Sequence, residues 1–362
     1  MKEALKLKKI EEWAFYKNRP LNICGPCSAE SYDQVLDTAV ELAELNKVDI
    51  FRAGIWKPRT RPNSFEGVGR EGLKWLRDVK RETGLPTATE VANASHVNDA
   101  LKFGVDVLWI GARTSANPFA MQEIADALNG VDVTVLVKNP VNPELNLWIG
   151  AIERIAGAGI TNIGAIHRGV STYEHTVYRN QPKWLLPIEL RRAIPHIPLI
   201  CDPSHIGGAK EYLQEISQKA LDLNYDGLMI ETHINPEAAL SDKNQQVTPL
   251  QLNELLSNLI VREHETSDLA FLDILGELRS QIDLFDEQLL ELMEQRMAIA
   301  ETIGKYKKEN NITILQSNRW EEIVNNVLKK GASKGLSKEF VNQMFKIIHQ
   351  ESINHQNMVM NT

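Results

Sequence analysis

The sequence predicts an α/β fold, a (β/α)8 TIM barrel followed by a C-terminal all-α helical domain. Short apolar runs alternate with amphipathic helical patterns from residue 21 to about residue 262, and they do so eight times, as a closed parallel barrel requires. From residue 268 to 309 the pattern changes to one proline-free helical stretch. A length of 362 residues suggests two domains, and 43% hydrophobic with 24% charged residues is ordinary globular composition. A net charge of -8 argues against nucleic-acid or membrane-surface binding, so any basic cluster is local and directed at a substrate. Three cysteines, with no signal peptide or long apolar segment, point to reduced thiols and a cytoplasmic location.

Residues 1–20 read as a lead-in, helical and amphipathic to about residue 18 and rich in Lys and Glu. The barrel is expected over 21–262, with strands at 21–24, 50–54, 86–90, 105–110, 133–138, 161–166, 197–202 and 226–231. The runs Val133 to Val137 and Pro198 to Cys201 are nearly continuously apolar, as strands buried on both faces should be. Helices fall between them at Ser31 to Asn46, Arg70 to Thr83, Asn117 to Leu128 and Lys210 to Asn224, and a last one runs from Pro249 to about Arg262. A doubly wound sheet fits less well, because no G-x-G-x-x-G opens the first helix. Residues 263–268 are a polar linker with a helix cap, and 269–362 form the helical domain. Apolar or aromatic residues at 278, 282, 285, 289, 292, 299, 303 and 306 make a heptad seam, with Arg296 at the position between Leu292 and Ile299. A helix of this length spans roughly 60 Å, so cover by a partner copy is expected. Two shorter helices follow near 318–330 and 338–357.

Barrel enzymes work at the C-terminal ends of their strands, and reactive residues collect there. Cys27, Arg52, Lys57, Glu90, Arg113, Lys138, His167, Arg168, Asp202, His205, Glu231 and His233 all follow or end a strand. The stretch from Phe51 to Arg61 holds four cations, Arg52, Lys57, Arg59 and Arg61, before the first acid at Glu66. Guanidinium grips phosphate or carboxylate through a fixed fork, and Lys supplies a movable charge or proton. Arg52, Lys57, Arg59, Arg113, Lys138 and Arg168 together suit about four to five negative charges, the load of two phosphate esters and a carboxylate. Pairing of each cation with a nearby acid is the alternative. Cys27, His205, Glu231 and Asp242 mix thiolate, imidazole and carboxylates that could hold a divalent transition metal, although each is ordinary alone. Cys24 and Cys27 could instead be a redox pair, and no second C-x-x-C completes a zinc site.

Six motifs follow one another on consecutive strands. They are Gly25-Pro26-Cys27-Ser28, Arg52 with Lys57-Pro58-Arg59-Thr60, Gly111-Ala112-Arg113, Lys138-Asn139, His167-Arg168-Gly169 and Asp202-Pro203-Ser204-His205. Together they resemble 3-deoxy-D-arabino-heptulosonate-7-phosphate (DAHP) synthase, in its short bacterial form. The resemblance implies condensation of phosphoenolpyruvate with erythrose 4-phosphate and release of phosphate. It implies that Arg52, Lys57, Arg113, Lys138 and Arg168 hold phosphoenolpyruvate and that Arg59 and Thr60 take the sugar phosphate. It makes Cys27, His205, Glu231 and Asp242 the ligands of one divalent metal, manganese first, with iron, cobalt, zinc or cadmium as alternatives. Lys57 would protonate the new alkoxide and Glu90 would position the attacking water. The rival, 3-deoxy-D-manno-octulosonate-8-phosphate synthase, shares the barrel and metal set but differs at the Lys-Pro-Arg-Thr motif.

Residues 269–357 resemble an all-helical chorismate mutase through Arg279, Asp286, Arg296, Gly304, Lys307, Arg319, Ser352 and Gln356. Arg296 and Lys307, eleven residues apart, lie about 20° around a helix and roughly 16 Å along it, so both can reach one small dianion. The resemblance implies that Lys307 and Gln356 face the breaking ether oxygen, that Arg296 and Arg319 lie at the carboxylate end, and that Arg279 comes from the other protomer of a dimer. Gln316 and Trp320 stand where acids often contact this substrate. A bifunctional enzyme with feedback by prephenate or chorismate is therefore expected, and a helical domain that only senses ligand and dimerises is the alternative.

Overall fold

The computed structural model describes residues 5–57, 64–172, 176–263, 265–315 and 317–361, leaving aside the side chains of 317–319 and 321. They form two compact units, divided between His264 and Glu265. In the first, β1 (Leu21–Gly25), β2 (Ile50–Arg52), β3 (Thr87–Val91), β4 (Val107–Ile110), β5 (Thr134–Lys138), β6 (Ile163–His167), β7 (Leu199–Cys201) and β8 (Gly227–Glu231) make a closed parallel barrel in sequence order. Closure comes from β8 pairing with β1, Leu21 opposite Gly227 and Gly25 opposite Glu231. The eight expected strands are thus the eight observed.

Helices α1 (Tyr32–Glu44), α2 (Glu71–Thr83), α3 (Ala94–Lys102), α4 (Ala112–Ser115), α5 (Pro118–Leu128), α6 (Leu145–Gly157), α7 (Leu185–Ala193), α8 (Pro203–Gly207), α9 (Leu213–Asp222) and α10 (Pro249–Ser257) belong to this unit. Ser31 and Asn117 start α1 and α5 by accepting hydrogen bonds from the amides of Gln34 and Phe119, which is why these polar residues mark the expected starts. The sequence pattern overextends two elements. The lead-in helix is absent among the described residues: residues 5–9 are irregular and only Ile10–Glu12 makes a 3-10 turn. Ile10 and Trp13 leave the solvent to pack with the barrel-interior side chains Leu21, Ile23, Ile50 and Trp109, and that burial outweighs the helical charge pattern. The last barrel helix ends at Ser257 rather than near Arg262, whose carbonyl accepts a hydrogen bond from Arg19 Nη1 at 2.8 Å.

The second unit contains α11 (Leu269–Glu309), α12 (Ser317–Ser333) and α13 (Lys338–Asn361). Asp268 caps α11 by accepting from the Phe271 amide. Within this unit α11 buries Met297, Ala300 and Gly304, and every apolar or aromatic residue of the expected heptad seam remains exposed, Leu278 by 52% and Ile299 by 62%. A Cβ on Gly304 would stand 3.1 Å from Gln356 Cα, so glycine permits the close crossing of α11 and α13.

Candidate functional site

Side chains alternate across a strand, and the phase of the interior residues carries the site. Ile23, Ile50, Ala88, Trp109, Leu136, Ile166, Ile200 and Met229 fill the barrel core. Two residues on, the same phase places Gly25, Arg52, Glu90, Gly111, Lys138, Arg168, Asp202 and Glu231 in one inward layer at the C-terminal end. Six are ionisable. The two glycines leave room, since a Cβ at Gly111 would meet Glu90 Oε1 at 2.1 Å. His167 has the opposite phase, and it is a fully buried residue between sheet and helices rather than part of the mouth. Its Nδ1 meets the Tyr225 hydroxyl at 2.9 Å, and burial pushes its pKa down to about 4.

Above this layer opens a cavity of about 590 Å³ whose lining includes Lys57, Glu90, Arg113, Lys138, Arg168, His205 and Asp242. Arg59 and Thr60 lie outside the described residues. Some cations have acid partners: Lys138 Nζ is 2.7 Å from Asp202 Oδ2 and Arg52 Nη2 is 3.3 Å from Glu231 Oε1. Arg52 is nevertheless under-satisfied, for its Nε and Nη1 are buried with no hydrogen-bond partner among the described residues. Two unmatched donors of one fork, stacked 4.7 Å over Trp109, suit an oxyanion. Burial, then the charges of Arg179 and Arg113, push Arg168 down to about 10, against the opposing charge of Asp202.

At the cavity edge, ligand atoms of Cys27, Glu231 and Asp242 lie within 4.8 Å of one another. His205 Nδ1 is 2.9 Å from Asp202, which aims Nε2 toward Glu231 at 3.7 Å. Sulfur and carboxylate donors clustered in this way fit a divalent transition metal, and the His205 imidazole stands beside Glu231, outside that group of three. Burial, then the charge of Glu231, pushes the Cys27 thiol up to about 12, a cost that a bound cation would relieve. Lys57 Nζ lies 2.7 Å from the Cys27 carbonyl and 3.0 Å from its sulfur. Burial acts to lower the Lys57 pKa, but the charges of Cys27, Glu231 and Glu90 outweigh it and hold the ammonium above its ordinary value.

Three residues in this arrangement, Asn180, Gln245 and Arg179, escape motif reasoning as site candidates. Asp202 joins Lys138 to His205, and Asn180 holds Arg168 Nη1 at 2.8 Å. Gln245 donates to Glu231 Oε2 at 2.7 Å and accepts from Arg179 Nη1 at 2.8 Å, while the same nitrogen pairs with Asp242 at 3.0 Å. A glutamine in a loop after the last strand carries no sequence signal. Asp202, by contrast, stands in phase with the interior of β7.

In the helical unit Arg296 Nη1 donates to Ser352 Oγ, and Lys307 Nζ lies 3.2 Å from Gln356 Oε1. Burial lowers the pKa of both cations, and Ser352 and Gln356 are themselves buried. Four polar side chains thus meet between α11 and α13. Arg279 is exposed and stands about 25 Å along α11 from Arg296, so it serves no pocket of its own chain there. Arg319 lies in α12 but its side chain is outside the description, as is Gln316 altogether. Trp320 stacks on His349, ring centroids 4.1 Å apart and 17° from parallel.

Fold and sites define a barrel enzyme for multiply charged anions, joined to a helical unit with a buried polar cluster of its own. The chain belongs to the DAHP synthetase I family, which it matches over residues 14–267, and residues 278–357 match chorismate mutase type II. It is 32% identical over 237 residues to phospho-2-dehydro-3-deoxyheptonate aldolase of Thermotoga maritima, covering 66% of this chain and 68% of that protein. To 2-dehydro-3-deoxyphosphooctonate aldolase of Variovorax paradoxus it is 29% identical over 271 residues, 69% of this chain and 93% of that one. The crystal structure of the Thermotoga maritima DAHP synthase is similar with a TM-score of 0.59 at 30% identity, over 66% of this chain and 67% of that one. The chain is therefore an enzyme of the shikimate pathway with a DAHP synthase domain and a chorismate mutase domain, and no helix among its described residues is long and apolar enough to cross a membrane.

Proposed function

We propose that the barrel condenses phosphoenolpyruvate with erythrose 4-phosphate, and that the helical domain rearranges chorismate to prephenate. The inward layer of Arg52, Glu90, Lys138, Arg168, Asp202 and Glu231 supports the first reaction above all else. Arg52, Arg113, Lys138 and Arg168, with Lys57, bind the phosphate and carboxylate of phosphoenolpyruvate, and Arg59 and Thr60 receive the sugar phosphate. A divalent metal held by Cys27, His205, Glu231 and Asp242, manganese in preference, supplies Lewis-acid polarisation of the aldehyde when bound. Lys57, kept protonated beside Cys27, donates to the aldehyde oxygen as the carbon–carbon bond forms. Glu90, held by Trp109 Nε1 at 3.2 Å, orients the water that adds as phosphate departs.

The mutase reaction is pericyclic and needs shape and charge, not a nucleophile. Lys307 and Gln356 face the breaking ether oxygen, Arg296, Ser352 and Arg319 hold the carboxylate end, and a partner copy supplies Arg279. Prephenate or chorismate bound there restrains the barrel, and the exposed α11 seam makes the homodimer. One observation favours a second reading, in which the helical domain mainly senses ligand: an aromatic stack occupies the Trp320 position.

Phosphoenolpyruvate consumption by the intact chain, with erythrose 4-phosphate and manganese, tests the barrel. Chelator should abolish it and prephenate should slow it. Carbon count separates the rival, because an octulosonate product needs a five-carbon aldose phosphate, and turnover of that sugar alone would overturn the assignment. Absence of chorismate turnover with retained prephenate inhibition would favour the sensor reading.

A further inference from the structure

His349 sits on the same stripe of α13 as Ser352 and Gln356, the two polar residues of the cluster between α11 and α13. At 100° per residue it lies about 20° from Gln356 and about 60° from Ser352 around the helix. Those neighbours meet Lys307 and Arg296 of α11. The imidazole is half-buried and lies flat on the Trp320 indole of α12, an arrangement that fixes the direction of its edge. Its Nε2 is buried without any hydrogen-bond partner among the described residues. A buried orphan nitrogen costs free energy unless something completes it. Burial, then the charges of Arg296 and Lys307, lower the basicity of this ring, which places it in the field of both pocket cations and leaves it neutral with one N–H to donate.

We propose that His349 is a ligand-binding residue of the helical pocket, donating from Nε2 to a carboxylate oxygen of the bound cyclic dicarboxylate, with Trp320 as the positioning residue that aims it. This rests on the reading of that pocket as a chorismate and prephenate site. Along α13, His349 is about 4.5 Å from Ser352 and about 10 Å from Gln356, so it serves the carboxylate end and not the breaking ether bond. Its contribution belongs to binding rather than to the chemical step. The Trp–His pair thereby does with an aromatic-braced neutral donor what a carboxylate at position 320 could not do for an anionic group.

The test uses the intact chain, with prephenate affinity measured by titration calorimetry and chorismate kinetics measured alongside. His349→Leu should weaken prephenate binding and raise the chorismate KM by about tenfold, with kcat within about threefold. His349→Gln, whose amide nitrogen reaches the place of Nε2, should restore both to within about threefold of the original chain. Unchanged affinity in His349→Leu overturns the proposal and leaves the pocket reading intact. Equal weakening in both variants also overturns it, because packing alone would then explain the residue. An unsubstituted chain that binds neither chorismate nor prephenate overturns the pocket reading and the proposal with it.

Discussion

Gln245 is 1% exposed and ties the Glu231 carboxylate to the Arg179 guanidinium, which itself holds Asp242. One amide therefore orients two of the proposed metal donors. Gln245→Leu should lower metal affinity by about 10–100-fold, read by equilibrium dialysis against a competing chelator, since partners of ligating carboxylates carry effects of this size. His167 gives a second prediction at this scale. Its folded pKa of about 4 lies below the ordinary 6.5, so its neutral form contributes fully above pH 6.5 and that contribution fades as pH falls toward 4. The linked loss is about 3 kcal/mol for this fully buried ring. In urea unfolding, the original chain should lose stability between pH 7 and 4.5 more steeply than His167→Gln. Arg52, Glu90, Lys138 and Glu231 were legible in the sequence because each ends an apolar run in phase with the core. Gln245 and Arg179 were not, because loops have no period, and His349 hides among Val341, Phe345 and Ile348 as one more member of a packed helix.

At the scale of elements, strand existence followed from short apolar runs, while strand ends moved by up to two residues because closure of the barrel, not composition, decides where pairing stops. The lead-in misled because two buried side chains, Ile10 and Trp13, outweigh a Lys/Glu pattern that describes only the solvent face. The α11–α13 crossing offers a sharp test. Gly304→Leu would force backbone apart where Gln356 Cα stands 3.1 Å from the new Cβ, and would separate the Lys307–Gln356 pair now 3.2 Å apart. Overpacking of this kind costs about 1–3 kcal/mol. Calorimetry should show a lowered unfolding transition for the helical unit, and chorismate turnover should fall with it.

For the molecule as a whole, the heptad seam of α11 was legible as a period but not as a face, since the same helix also packs α13 through Met297, Ala300 and Gly304. Ile282 and Leu289 are exposed by 57% and 54%. If the seam makes the proposed dimer, placing Lys at both positions should leave a species near 40.8 kDa in sedimentation, with mutase activity lost because the proposed Arg279 of a second copy no longer arrives. The barrel carries a different consequence of its closure. Cys27 follows the first strand, and Asp242, 215 residues later in the chain, follows the last. During synthesis, a ribosome-bound chain that has not yet reached Asp242 has no complete donor set, however well its early strands have folded. A chain that ends after β8 but before Asp242 therefore lacks one of the four proposed metal donors, even though all eight strands have been made.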